Sequence, residues 1–193
     1  EVAHGNPVLV MQNLGFAAYP FWHYAVVIGY DLEKKLIILR SGEIKKLVRP
    51  FSVFERTWQR SGYWSVVVVP PGEMPVTASE QSYSNSSITL EPYTSLQNSA
   101  LNYQTGVNRW PESFILNMGL GNISYALKDY AKAEAAFSRA AQLMPQRAEA
   151  WNNLAYSRFK LGKLPEAAEA VQRAIEIDPE NKEYQRSQHE INN

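Results

Sequence analysis

Three prolines, Pro111, Pro145 and Pro179, recur at an interval of 34 residues, and small residues recur with them: Ala133 with Ala167, Ala140 with Ala174, and Leu120-Gly121 with Leu154-Ala155. An interval of that length repeats a whole supersecondary unit rather than a single helix or strand. Small side chains at matched slots mark where paired antiparallel helices approach closely, because a larger group would hold the axes apart. The prolines close each second helix, since proline cannot continue a helical ladder. Tyr130 and Trp151 supply bulk between helices. Gly162 breaks the chain at the turn of the last repeat, where the previous one has Asp129.

This pattern resembles the tetratricopeptide repeat over residues 95–179. Two full repeats read as 114–147 and 148–181, and residues 95–111 read as the second helix of a degenerate repeat, with Tyr103 and Pro111 standing 34 residues before Phe137 and Pro145. Ser99 and Gly106 take the small slots there, while Ser124 and Arg158 stand where an aromatic is common. A last polar helix, about 180–190, would cap the stack, because a solenoid end must turn a soluble face to water. Residues 94–193 are thus expected to form an all-α solenoid with a capping helix. The resemblance implies a protein-binding scaffold whose concave side is lined, by alignment, by Ile115, Met118, Asn122 and Tyr125 and then by Glu149, Asn152, Tyr156 and Phe159. Asn122 and Asn152 would hold a peptide backbone, and Met118, Tyr125, Tyr156 and Phe159 would take apolar side chains. The expected ligand is an extended or helical protein segment. A carboxylate clamp is disfavoured, because the aligned groove lacks a cluster of Lys and Arg.

Residues 7–70 have a different period. Residues 7–12, 23–30, 35–39 and 63–69 are rich in β-branched and aromatic side chains and bounded by Gly, Pro, Asn or Asp, which predicts strands. Phe51, Phe54 and Trp58 follow Pro50 at helical spacing, which predicts one amphipathic helix before the last strand. The stretch 71–93 opens on Pro71-Gly72 and turns Ser-rich, and reads as a linker. The aromatic loop Phe16, Tyr19, Phe21 and Trp22 reads more readily as core than as cleft, and could still wall a substrate groove.

The run His23-Tyr24-Ala25-Val26-Val27-Ile28-Gly29-Tyr30-Asp31, set in this order of strands and helix, resembles the C-terminal half of papain-like cysteine peptidases of the bacteriocin-processing type. The layout with tetratricopeptide repeats behind it resembles a bacterial peptidase family with that pairing. The resemblance implies that residues 1–70 are a peptidase half-domain, that His23 is the catalytic imidazole, and that the nucleophilic Cys comes from a preceding lobe. Where the family places an Asp past the His, this chain reads Arg40-Ser41-Gly42. A hairpin pairing Tyr30 with Leu36 would set Glu43 opposite His23 and Ser41 opposite Ala25, so both remain candidates for orienting the ring. Asp31 lies too far along the strand. A bacterial envelope location, periplasmic or lipid-anchored, is implied by the resemblance alone.

Composition narrows the remaining choices. The 193 residues hold no cysteine, so this chain supplies no disulfide and no thiolate, and by itself should be inactive as a cysteine peptidase. Nineteen Lys and Arg balance nineteen Asp and Glu, which gives no global field for nucleic acid. His4, His23 and His189 have no metal-ligand spacing, and no cofactor is implied. No apolar run is long enough to span a bilayer. The start at Glu1 reads as part of a longer product, and the sheet is expected to expose an apolar face to a missing lobe or a dimer partner. The expected fold is therefore α+β: an antiparallel papain-like half joined by a linker to a helical solenoid. Two functions compete, part of a cysteine peptidase and a non-catalytic adaptor with a relic sheet.

Overall fold

The computed structural model describes residues 1–192, so residue 193, the last of the span 94–193 expected to form the solenoid, lies outside the described residues. The chain divides into two compact units, the first formed by Glu1–Pro70 with Met74–Thr77 and the second by Pro71–Glu73 with the chain from Ala78 onward.

The first unit is a five-stranded antiparallel sheet in the order β4-β3-β2-β1-β5. The strands are β1 (Val8–Asn13), β2 (Trp22–Asp31), β3 (Leu36–Ser41), β4 (Ile44–Pro50) and β5 (Ser65–Val67), and helix α1 (Phe51–Gln59) lies between the last two. Val10, Ala25, Val27, Ile37 and Leu39 form the buried face, closed by Phe54 of α1 with Phe51 and Trp58 beside it. The alternate residues point the other way. Val66, Leu9 and Val26 stand in one cross-strand row, and Tyr24, Trp22 and Val66 of that face are exposed.

Two readings of this half need correction. Strand β4 was not expected, because Ile44-Lys45-Lys46-Leu47-Val48-Arg49-Pro50 lacks an apolar run; it is the sheet's edge, where Lys and Arg discourage further pairing. The β2–β3 hairpin also pairs differently from the expected register. Asp31 faces Leu36 and Tyr30 faces Ile37, and a bulge between Val27 and Gly29 then realigns the ladder so that Val27 faces Leu39 and Val26 faces Arg40. One further step sets Ser41 against Ala25, as uniform pairing also had it, because the two one-residue differences cancel. Strand β3 ends at Ser41, so Glu43 sits in the turn to β4 and never pairs with His23.

The second unit is helical: α2 (Glu80–Leu90), α3 (Leu96–Arg109), α4 (Phe114–Ala126), α5 (Tyr130–Leu143), α6 (Ala148–Lys160), α7 (Leu164–Ile177) and α8 (Lys182–Asn192). The helices α2, α4, α6 and α8 begin 34 residues apart, and so do α3, α5 and α7. The repeat therefore starts earlier than its prolines show. The linker reading of 71–93 is overturned over Glu80–Tyr93, where α2 is followed by a short 3-10 turn. Ser79 caps α2 by accepting from the Ser82 N–H, while the Ser82 hydroxyl accepts from the Ser79 N–H. Tyr83, Ser84 and Ser87 are buried, and the Tyr83 hydroxyl donates to the Asn102 carbonyl at 3.0 Å. Ser87 fills the slot that Gly121 and Ala155 fill in later repeats. The stretch before α2 is also tied down, the Gly72 N–H donating to Asn102 Oδ1 and its carbonyl accepting from the Thr105 hydroxyl.

Between repeats the small residues work as the period requires. Ala133, Ala140, Ala155, Ala167 and Ala174 are fully enclosed. Arg158, standing where an aromatic is common, instead pairs with Glu134 at 3.3 Å, and Lys163 reaches the same carboxylate at 2.6 Å.

Candidate functional site

The first helix of each repeat turns one face to the concave side, and α4 and α6 bound a recess of about 300 Å³ lined by Asn122, Tyr125, Phe137, Asn153 and Tyr156. Of the expected groove residues, Asn122 is exposed, while Met118, Tyr125, Tyr156 and Phe159 are half-buried. Met118, Tyr125 and Phe159 rest on the core cluster around Phe137 and Leu154. Ile115 is exposed, and Glu149 is held by the Arg147 guanidinium.

Asn152 is the exception. It is only 3% exposed, and its Oδ1 meets no hydrogen-bond donor. The amide in the recess is its neighbour Asn153, whose Nδ2 donates to Asn122 Oδ1 at 3.2 Å. One residue along a helix rotates a side chain by about 100°, so the adjacent amides of α6 face different ways, Asn152 into the core and Asn153 into the recess.

Helix α8 adds a group that sequence reading left in the cap. The Tyr156 hydroxyl donates to Glu190 Oε2 at 2.9 Å. Burial raises the Tyr125 pKa, with further contributions from Tyr130, Tyr156 and the negative charge of Glu190. Tyr156 is raised for the same leading reason, with Glu190 and Glu183 adding to it. The ring of Tyr125 also stands edge-on to Tyr130 at 5.2 Å. At Phe159 the Lys160 ammonium lies over the ring at 5.6 Å.

In the first unit, His23 of β2 is half-buried on the α1-facing side, and its Nε2 lies 2.7 Å from Ser41 Oγ. Of the two proposed orienting groups, the fold brings Ser41 to the ring and leaves Glu43 exposed in its turn. Gln12 faces His23 across the β1–β2 ladder, and its Nε2 donates to Thr57 Oγ1 at 2.6 Å. Before β2 the aromatic loop is exposed rather than core. Asn13, 2% exposed, accepts from the N–H groups of Gly15 and Phe21, while Phe16 and Tyr19 are 76% and 82% exposed.

Among the described residues, no three His, Asp or Glu side chains group closely enough to hold a metal ion. Nor is any helix long and apolar enough to cross a membrane.

No curated protein matches the sequence. Solved structures do match in fold. The first tetratricopeptide domain of Spaghetti (RPAP3) bound to the HSP90 peptide SRMEEVD aligns with a TM-score of 0.55 at 21% identity, covering 61% of this chain and 96% of that one. The second such domain of human RPAP3, in complex with the HSP70 peptide SGPTIEEVD, gives 0.55 at 18% identity over 59% of this chain and 95% of that one. MamA from Desulfovibrio magneticus RS-1 gives 0.55 at 20% identity, over 59% of this chain and 64% of that one. Residues 96–148 and 124–190 each match a tetratricopeptide repeat family, and the helical unit is therefore an array of tetratricopeptide repeats.

Proposed function

We propose that the chain is a protein-binding adaptor whose concave helical face captures a segment of a partner protein. The observation that carries this is the recess between α4 and α6, where two amides and two tyrosines stand together on an apolar floor that includes Phe137. Amides satisfy a ligand's backbone, and aromatic faces take its side chains. Two of the similar solved domains hold peptides. Those peptides are acid-rich, and the recess here instead has Glu190 beside it, so the ligand of this chain differs in charge. The test is site-specific photo-crosslinking, with a benzophenone amino acid at Asn122 in the recess or at Arg173 on α7. Crosslinks to a discrete partner from Asn122 alone support the groove; equal crosslinking from both positions removes it.

A second reading keeps the first unit as part of a papain-like cysteine peptidase, in a bacterial envelope protein whose Cys lies outside this chain. One observation favours it: Ser41 holds Nε2 of His23, while Nδ1 has no hydrogen-bond partner among the described residues. A ring anchored at one nitrogen and free at the other is suited to exchanging a proton with a thiol. On this reading Ser41 is a positioning residue, and the exposed sheet face would dock the Cys-bearing lobe or a second copy. The test has two steps, finding a Gln-x-x-x-x-Cys-Gly helix motif encoded ahead of Glu1 and loss of iodoacetamide-sensitive peptide hydrolysis on His23→Ala in that parent. Absence of the motif, or turnover unchanged by His23→Ala, leaves His23 a structural residue.

A further inference from the structure

The recess differs from a generic apolar groove in the sign of what surrounds it. Its walls are the rings of Tyr125, Tyr156 and Phe137, and its polar groups are Asn122, Asn153 and the tyrosine hydroxyls. Beside it, the exposed carboxylate of Glu190 on α8 accepts from the Tyr156 hydroxyl through one oxygen, which sets a negative charge at the edge of the recess. Burial is the main cause that raises the Tyr125 phenol, with Tyr130, Tyr156 and, least, the Glu190 charge adding to it. Asn122 Oδ1 is used by Asn153, but Asn153 Oδ1 has no partner among the described residues and is a second acceptor.

Four cations of the neighbouring helices are committed to other partners. Arg147 is committed to Glu149, Arg158 and Lys163 to Glu134, and Lys160 lies over Phe159. Arg186 stands one turn before Glu190 on α8 and forms no ion pair with it among the described residues. Aromatic faces, carbonyl acceptors and one oriented carboxylate are what a desolvated cation requires. An acidic side chain in the same place would be repelled by the Glu190 carboxylate.

We infer that this recess takes the side chain of one Lys or Arg from the bound segment, its alkyl stem against Phe137 and the tyrosine rings and its charged head toward Glu190 and Asn153. The inference rests on the groove reading above and gives it a ligand chemistry: a segment with a cationic anchor. The long apolar stem suits the recess, because Lys and Arg bury their methylenes while keeping the head among polar groups.

The experiment selects binders from a random displayed 12-residue library on the immobilised full chain, then measures synthetic copies by fluorescence anisotropy. In the expected result, Lys and Arg outnumber Asp and Glu among selected segments, and replacing one cation by norleucine weakens binding on the order of tenfold or more. Glu190→Gln should cost a similar factor and abolish discrimination between the cationic and norleucine peptides. Asn122→Trp, which fills the mouth of the recess, should abolish binding, with helical circular dichroism confirming that both variants fold. Groove-bound segments that are neutral or acidic, or discrimination that survives Glu190→Gln, overturn the cation pocket and leave the groove reading standing. Recovery of no segment, or of segments indifferent to Asn122→Trp, overturns both.

Discussion

Gly121 of α4 and Phe137 of α5 meet so closely that a Cβ placed on Gly121 would come within 2.5 Å of Phe137 Cε1. Thirty-four residues on, the same two slots hold Ala155 and Val171, both fully buried in the same core cluster. The smaller ring-side residue permits the larger helix-side one, so the two repeats solve one close approach with different pairs.

That exchange predicts a coupling. Gly121→Ala gains about 1 kcal/mol of helix propensity, but overpacks a ring that is only 1% exposed and cannot move aside, a cost of about 1–3 kcal/mol. Urea denaturation should show a net loss. Phe137→Val alone leaves a cavity and is also destabilising. The double variant recreates the Ala155–Val171 pair, so its loss should fall below the sum of the single losses; simple additivity would refute the pairing.

A second prediction concerns the aromatic loop. Asn13 Oδ1 accepts from the Gly15 N–H at 2.9 Å and the Phe21 N–H at 3.0 Å, replacing backbone pairing that the connection between β1 and β2 cannot supply everywhere. Asn13→Ala should leave both donors unsatisfied at a cost of about 1–3 kcal/mol. Chymotrypsin should then cut after Phe16 faster than in the parent, whereas Asn13→Asp, which keeps the acceptor, should be cut more slowly than the alanine variant.

These two positions show what was legible. The 34-residue interval could be read because helices in close contact accept only small side chains, and Gly121, Ala155, Ala133 and Ala167 carry that requirement openly. Helix α2 was hidden because serine serves equally as a linker residue and as a small packing residue; Ser87 does the second while looking like the first. Strand β4 was hidden because an edge strand is selected for charge against pairing rather than for hydrophobicity. The bulge in β2 did leave a signal, a glycine at position 29 inside an otherwise apolar strand. The Ser41 contact to His23 was among the proposed pairings, but only the early end of β3 separates Ser41 from Glu43. Glu190 could not be found from its own repeat, since its role depends on Tyr156 exactly one interval earlier.

A third prediction follows from Glu1. Its burial acts to raise its pKa, but the Thr77 hydroxyl and N–H, the Asn6 amide and the Val76 N–H donate to the carboxylate and bring it from 4.5 down to about 2. A depressed folded pKa means that this stabilisation is fully present above about pH 4.5 and is lost as pH falls toward 2. The Thr77 amide proton should therefore shift and exchange faster over that window in NMR spectra. Glu1→Gln should remove the pH dependence; a Thr77 amide that titrates identically in the variant would show that another group is responsible.

The last prediction concerns where the helical unit begins. If residues 78–93 were a tether, a chain starting at Thr94 would keep the whole stability of the solenoid. The packing says otherwise: Tyr83 is buried, its ring lies 5.7 Å from Trp110, and its hydroxyl reaches α3. Tyr103 of α3 in turn donates to Glu91 at 2.8 Å. Removing α2 exposes this side of α3, and burial of Tyr83 alone is worth about 1.5–3 kcal/mol. A fragment spanning 78–192 should thus melt above one spanning 94–192 by roughly 6–24 °C, at about 4–8 °C per kcal/mol for a domain of this size. In the intact chain, Tyr83→Ala should cost about 3–5 kcal/mol, as for other buried aromatics, and Ser79→Ala about 1 kcal/mol through loss of the helix cap. Thermal and urea unfolding followed at the helical signal measure all three. Equal melting of the two fragments would return residues 78–93 to the role of a tether and make Leu96 the true start of the array.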